Sequence, residues 1–289
     1  MGVDVWLDAT LGSVFGLLIG SFLNVVIYRL PKIMERQWAA EAAAFKAAEV
    51  GEEPPPPPEP FNLLTPRSRC QSCGHMVQWY ENIPVLSYLF LRGRCSACKT
   101  RISVRYPLVE IATSALFFFC IQRWGITPTG IAWCGFSAAL VTLAFIDWDT
   151  TLLPDDITLP LLWVGLLASA TQLIAVPLYA SVVGAAAGYL SLWLVYWGFK
   201  LVTGKEGMGY GDFKLFAALG AWFGWQALVP IILMSSVIGA IVGIALKIFS
   251  RLRDGGYVPF GPFLVGAGFT AMIFGPNAII ESVLKLVGL

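Results

Sequence analysis

Five aspartates fall in two short stretches of this chain. Asp147-Trp148-Asp149 is followed closely by Leu153-Pro154-Asp155-Asp156, and further along comes Gly207-Met208-Gly209-Tyr210-Gly211-Asp212-Phe213-Lys214. Each stretch sits at a junction between apolar runs, where an acid is expensive and its default reading is functional. Peptide hydrolysis by carboxylates needs two of them close enough to share a proton. One takes a proton from water while the other gives one to the carbonyl oxygen. Like charges about 3 Å apart cannot both ionise, so such a pair titrates as a unit. The glycines before Asp212 predict a backbone able to lie close to an extended substrate and to reach φ > 0. Plainer roles stand beside this one. Asp212 suits a helix cap, Asp155 and Asp156 after Pro154 suit a first helical turn, and Asp147 and Asp149 suit a loop at a membrane surface. No His-Glu-x-x-His metalloprotease motif and no Gly-x-Ser-x-Gly elbow competes for the chemistry.

A second constellation is made of sulfur. Cys70-Gln-Ser-Cys73-Gly-His75 and Cys95-Ser-Ala-Cys98-Lys99 form two Cys-x-x-Cys knuckles, 22 positions apart. That spacing is close to four-thiolate zinc ribbons, with Cys70, Cys73, Cys95 and Cys98 as ligands. Two disulfides are the rival arrangement, disfavoured if the segment is cytoplasmic. Four cysteines already fill a tetrahedral site, so His75, the single histidine, is expected in an exposed turn. Cys120 and Cys134 fall in or near apolar runs as small core residues.

The elements that must position these groups are membrane spans. The chain is 57% hydrophobic and 13% charged, about half the charge of a soluble domain. Eight apolar stretches are expected to cross a bilayer, near residues 10–28, 107–122, 127–146, 157–174, 177–199, 213–223, 227–246 and 259–280. The first has two acids and no basic residue before it, and is expected to be a retained span and not a cleaved signal. Small residues recur every three or four positions at Gly12, Gly16 and Gly20, at Ser181, Gly184 and Gly188, and at Ser235, Gly239 and Gly243, as packing seams. Residues 29–105 are the long polar segment. They hold an Ala-rich, helix-prone run from Glu35 to Val50 and then five prolines, which read as a stiff spacer. With that segment inside the cell, seventeen of the nineteen lysines and arginines lie on the inner side, leaving Arg123 and Lys285 outside. Both termini then lie outside, and both aspartate stretches and the cysteines lie on the cytoplasmic side.

Taken together, Gly20-Ser-Phe-Leu-Asn-Val-Val-Ile-Tyr-Arg-Leu-Pro31, the paired knuckles, Trp79-Tyr-Glu-Asn-Ile-Pro-Val-Leu-Ser-Tyr88, Arg105-Tyr-Pro-Leu-Val-Glu110, Ile146-Asp-Trp-Asp149, Leu152-Leu-Pro-Asp155, Lys205-Glu-Gly-Met-Gly-Tyr-Gly-Asp-Phe-Lys214 and Pro259-Phe-Gly-Pro262 closely resemble the bacterial prepilin peptidases, also called type IV leader peptidases. The resemblance covers essentially the whole chain. It implies an all-α polytopic protein of the bacterial inner membrane, with about eight transmembrane helices and a small cytoplasmic zinc-ribbon-like insertion. It divides the chain into a first transmembrane helix (1–28), a cytoplasmic domain with the four-cysteine knuckles (29–105) and a seven-helix peptidase core (106–289). It implies a catalytic pair at Asp147 and Asp212, acting on the cytoplasmic side. The substrates would be type IV prepilins and type II secretion pseudopilins, cut after glycine, with N-methylation of the new terminus from S-adenosylmethionine and structural zinc on the cysteines. Membrane lipid is the expected surrounding, and no nucleic-acid partner is expected. No glycine-rich nucleotide fingerprint places the methyl donor. Two readings of other classes are an ion-coupled transporter, which calls for acids in mid-span, and a non-catalytic zinc-ribbon scaffold.

Overall fold

The computed structural model describes residues 3–53, 56, 60–249, 258–276 and 281. Most of the proline run falls outside them, as do Arg251, Arg253 and Lys285 and the last four positions of the eighth apolar stretch. The protein is all-helical, and among the described residues the only β pairing is two isolated antiparallel bridges, Arg69 with Met76 and Arg94 with Arg101. The chain divides into two compact units, residues 1–125 and 126–289.

In the first unit α1 (Val3–Val50) pairs with α3 (Arg105–Trp124). The glycine seam of α1 is what lets them approach. A Cβ at Gly16 would lie 2.8 Å from the Ser114 Cα, and one at Gly20 would lie 2.7 Å from the Glu110 Cα. The Ala-rich run is helical, as its composition predicts. It continues α1 without interruption, through Pro31. Proline removes one donor from the ladder, but the strong helix formers that follow carry the helix on. Arg29, counted among the inner-side charges, is buried, donating to the carbonyls of Asn62 at 2.9 Å and Pro66 at 2.6 Å. Between the two long helices lie the knuckles, a 3-10 turn at Trp79–Asn82 and the short α2 (Leu86–Phe90).

The second unit is built from α4 (Pro128–Thr150), α5 (Asp155–Ala170), α6 (Leu178–Thr203), α7 (Tyr210–Phe223), α8 (Leu228–Ile248) and α9 (Gly261–Phe274). Helix α7 is its core, with Phe213, Leu215, Phe216, Leu219 and Trp222 all fully buried, as befits a helix apolar on every side. The seam of α6 receives it. Gly184 lies against the Gly220 backbone, and Ser181 Oγ donates to the Ala221 carbonyl at 2.6 Å. The seam of α8 receives α9, with Gly239 against the Phe263 ring and Ser235 Oγ donating to the Phe263 carbonyl at 3.2 Å. Trp222 packs in tilted contact with Phe136 and Trp133, and its Nε1 donates to the Leu161 carbonyl at 2.9 Å.

Four helical segments among the described residues are long and apolar enough to cross a membrane: Asp4–Val50, Pro128–Thr150, Leu178–Thr203 and Trp225–Ile248. Helices α5, α7 and α9, with 16, 14 and 14 residues, are shorter than the roughly 20 residues that cross a bilayer unaided.

Candidate active site and metal centre

The expected loop of acids after the third apolar stretch is helix. α4 runs on to Thr150, and Thr151, in the left-handed region at φ 57°, closes it by donating its N–H to the Asp147 carbonyl at 2.9 Å. Asp147 and Asp149 are therefore two helical residues apart, about 200° around the axis. Asp147 turns inward and is 4% exposed, whereas Asp149 is on the surface. An acid near a helix C-terminus opposes the helix dipole, so Asp147 is not there to stabilise α4. Its Oδ2 accepts the N–H of Gly261, the first residue of α9, at 2.9 Å. Only glycine fits there without displacement, since a Cβ at residue 261 would lie 2.5 Å from that oxygen. The contact links positions 114 residues apart. The Pro-Phe-Gly-Pro motif marked the spot in the sequence, but nothing there assigned the glycine a partner.

Asp212 enters from the first turn of α7 and is 7% exposed. It does not cap that helix. The cap position is Gly209, and no side-chain cap bond is made. Its Oδ1 is buried and takes no hydrogen bond from the described protein groups. The Asp147 carboxylate acts on it electrostatically. The fold thus brings these two acids together, while Asp149, Asp155 and Asp156 are exposed. Asp155 and Asp156 are exposed in the first turn of α5, and Lys214 Nζ holds Asp155 at 2.6 and 2.7 Å. That pair ties the start of α5 to the second turn of α7.

The three glycines before Asp212 do not take positive φ as expected, because the segment enters the helix directly from an extended Gly209 at φ −86° and ψ 155°. Two of them serve packing. A Cβ at Gly211 would lie 2.6 Å from the Leu153 Cβ, and one at Gly207 would lie 3.0 Å from the Phe199 ring. Gly209 alone keeps open space, its nearest neighbour being the Gly211 nitrogen at 3.9 Å. The loop is anchored from α6 by Lys200, whose Nζ contacts Glu206 at 2.8 Å.

In the first unit the four knuckle cysteines converge, with all sulfurs within 4.8 Å of one another and none in a disulfide. Sulfur separations of 3.8 Å for Cys70–Cys98 and 4.0 Å for Cys73–Cys95 match the roughly 3.8 Å edge of a tetrahedron with Zn–S near 2.3 Å. The two knuckles share one geometry. Cys70 N–H donates to the His75 carbonyl at 2.8 Å and Cys95 N–H to the Thr100 carbonyl at 2.9 Å, and Gly74 and Lys99 both take positive φ. The Thr100 hydroxyl and N–H bring the Cys98 thiol down to about 6. The His75 N–H acts the same way on Cys73, but the Cys98 sulfur and burial outweigh it and push that thiol up to about 11. Four crowded thiols cannot all ionise until a cation neutralises them. His75 is not the exposed turn residue expected. Its Nε2 lies 3.2 Å from both Glu81 Oε2 and Ser96 Oγ, because the hairpin turns the ring back over the 3-10 turn.

Comparison with known proteins shows the family. Residues 14–124 match the family model described as Bacterial Peptidase A24 N-terminal domain, and residues 134–244 match the Type IV leader peptidase family. The chain is similar to the prepilin leader peptidase/N-methyltransferase of Pseudomonas putida, 52% identical over 96% of this chain and 94% of the relative. It is similar to proteins of the same name from Aeromonas salmonicida and Pseudomonas aeruginosa, each 50% identical over 94% of this chain and 92% of the relative. No solved structure matches.

Proposed function

The chain belongs to the type IV leader peptidase family, and from that premise we propose that Asp147 and Asp212 are the catalytic pair of a membrane aspartic endopeptidase. The enzyme is a prepilin peptidase with N-methyltransferase activity, and its substrates are prepilins. The observation that carries the assignment of the pair is the convergence of two buried carboxylates from α4 and α7, Asp147 anchored by the Gly261 N–H and Asp212 within its electrostatic reach. In the reaction one carboxylate accepts a proton from water as its oxygen attacks the scissile carbonyl. The other, protonated, donates to the carbonyl oxygen. The tetrahedral adduct then collapses, the C–N bond breaks, and the leaving amine takes up a proton. The Gly261 N–H holds Asp147 in place throughout, and the space at Gly209 admits an extended substrate backbone.

The finer reading is that cleavage follows a glycine in type IV prepilins and type II secretion pseudopilins, and that the product's new N-terminal residue is methylated. S-adenosylmethionine supplies the methyl group when bound. Eight spans, α1 and α3 through α9, cross the inner membrane, with residues 1–28 as the first span, 29–105 as a cytoplasmic domain and 106–289 as the peptidase core. The eight longer helices overlap the eight apolar stretches, and the distribution of lysine and arginine supports an inner-side active site. The cysteines hold a structural zinc, whose four filled positions leave no place for a reactive water. The test is mass spectrometry of a model prepilin incubated with the purified protein and S-adenosylmethionine. The product expected has lost its leader and gained one methyl group at its new terminus. An uncut substrate refutes the reading.

A further inference from the structure

The first unit contains a cavity of about 880 Å3 bounded by α1, the start of α3 and the knuckles, within the size range of small-molecule sites. The peptide-bond chemistry makes no use of it. We propose that this cavity is the S-adenosylmethionine site, with Glu110 facing the sulfonium. The inference rests on the N-methyltransferase reading above and adds the site to it.

Glu110 lies early in α3, lines the cavity and is 8% exposed. An acid buried in an apolar helix calls for a functional reason. Part of that reason is local. Its Oε2 accepts the N–H of Val85 at 2.8 Å, and the Ser21 side chain also hydrogen-bonds the carboxyl. Val85 has φ 58° and ψ −47°, a backbone setting rare for a β-branched residue, and Leu86 N–H turns back to the Pro84 carbonyl across it. Strained three-residue turns of this kind persist where a site fixes the backbone. A neutral side chain could accept that N–H, so the bond to Val85 does not by itself call for a carboxylate. Four arginines, Arg29, Arg67, Arg69 and Arg101, share the wall, yet among the described residues none forms an ion pair with Glu110, which leaves its charge for a cationic group in the cavity.

The rest of the wall supplies the other contacts such a ligand needs. Tyr28 and Tyr106 line it, with the Lys32 ammonium 3.7 Å over one face of the Tyr28 ring, and aromatic faces hold both onium cations and flat bases. Arg69 and Arg101 also line it and suit an amino-acid carboxylate, which guanidinium groups bind in paired hydrogen bonds. Carboxylate, aromatic ring and guanidinium correspond to the sulfonium, adenine and carboxylate of the methyl donor. Asn24 fixes the α1 wall to α3 by donating to the Tyr106 carbonyl at 3.0 Å.

The test compares two ligands that differ in one charge. S-adenosylmethionine carries the sulfonium, and S-adenosylhomocysteine is its neutral thioether. Dissociation constants of both are measured by calorimetry on the full-length protein in detergent, for wild type, Glu110→Gln and Tyr28→Leu. Glutamine keeps an acceptor for the Val85 N–H and removes the charge. Glu110→Gln is expected to weaken S-adenosylmethionine at least about tenfold and S-adenosylhomocysteine by less than about twofold. Tyr28→Leu is expected to weaken both. Equal losses for the two ligands in Glu110→Gln assign that residue to loop anchoring and overturn the proposal. Unchanged affinities in both variants overturn it too, and a wild type that methylates its product then leaves the N-methyltransferase reading standing without this cavity. A wild type that binds neither ligand overturns both.

Discussion

Replacing Gly261 by alanine tests how tightly the position of Asp147 is set. The added Cβ lies 2.5 Å from the Asp147 Oδ2 that accepts the Gly261 N–H. An ordinary contact begins near 3.4 Å, so carboxylate and backbone must separate by about 0.9 Å. Misplacement of about 1 Å at a reacting group costs on the order of 100-fold in rate. The overpacking itself destabilises by about 1–3 kcal/mol. Gly268→Ala is the control in the same helix, since its Cβ would meet the flexible Leu219 Cδ2 at 2.8 Å with no carboxylate involved. The assay is single-turnover cleavage of a prepilin in detergent, beside thermal unfolding of each variant. Both variants are expected to lose a similar few degrees in Tm, while Gly261→Ala alone loses about 100-fold in cleavage. Equal cleavage by the two variants refutes the claim that this glycine holds the catalytic geometry.

Other outcomes follow from the same structure. Protein purified under reducing conditions is expected to carry one zinc per chain by elemental analysis, and Cys→Ser at 70, 73, 95 or 98 should increase protease sensitivity of residues 66–105. A metal-free, fully active protein contradicts this. Lys214→Gln removes the pair with Asp155, whose side chains are 26% and 52% exposed. It should cost no more than about 1 kcal/mol in a denaturation measurement, so a larger loss would mean the contact organises the α5–α7 junction. Inserting residues between the substrate glycine and its apolar helix should reduce cleavage steeply within one turn, roughly 5 Å. Cutting that ignores the insertion shows that depth in the membrane does not position the bond.

Much of this was legible where chemistry is local. The Cys-x-x-Cys spacing is a property of short hairpins, and the four sulfurs meet as the spacing implies. The small-residue seams mark helix contacts, because only a missing side chain permits backbone approach, as at Gly184 and Gly220. The i, i+2 relation that separates Asp147 from Asp149 needed the helix boundary, which lies beyond the expected one. What the sequence could not reveal depends on distant partners. Gly261 is spoken for by a carboxylate 114 residues away, and Gly211 by Leu153 from another loop. A glycine needed for packing and one left open for a substrate look alike in one dimension. Pro31 reads as a helix end locally, yet its neighbours on both sides sustain the helix. His75 faces Glu81 and Ser96 only because the knuckles fold onto the 3-10 turn.

The most direct measurement is cleavage of a prepilin by three single variants of matched size, Asp147→Asn, Asp212→Asn and Asp149→Asn, each verified to insert and to bind zinc as wild type does. Asparagine keeps an acceptor for the Gly261 N–H and removes only the proton chemistry. The account predicts no detectable product from Asp147→Asn or Asp212→Asn, and substantial product from the exposed Asp149→Asn. Cleavage that survives either of the first two, or that is lost in Asp149→Asn while Asp147→Asn remains active, contradicts the assignment of the pair.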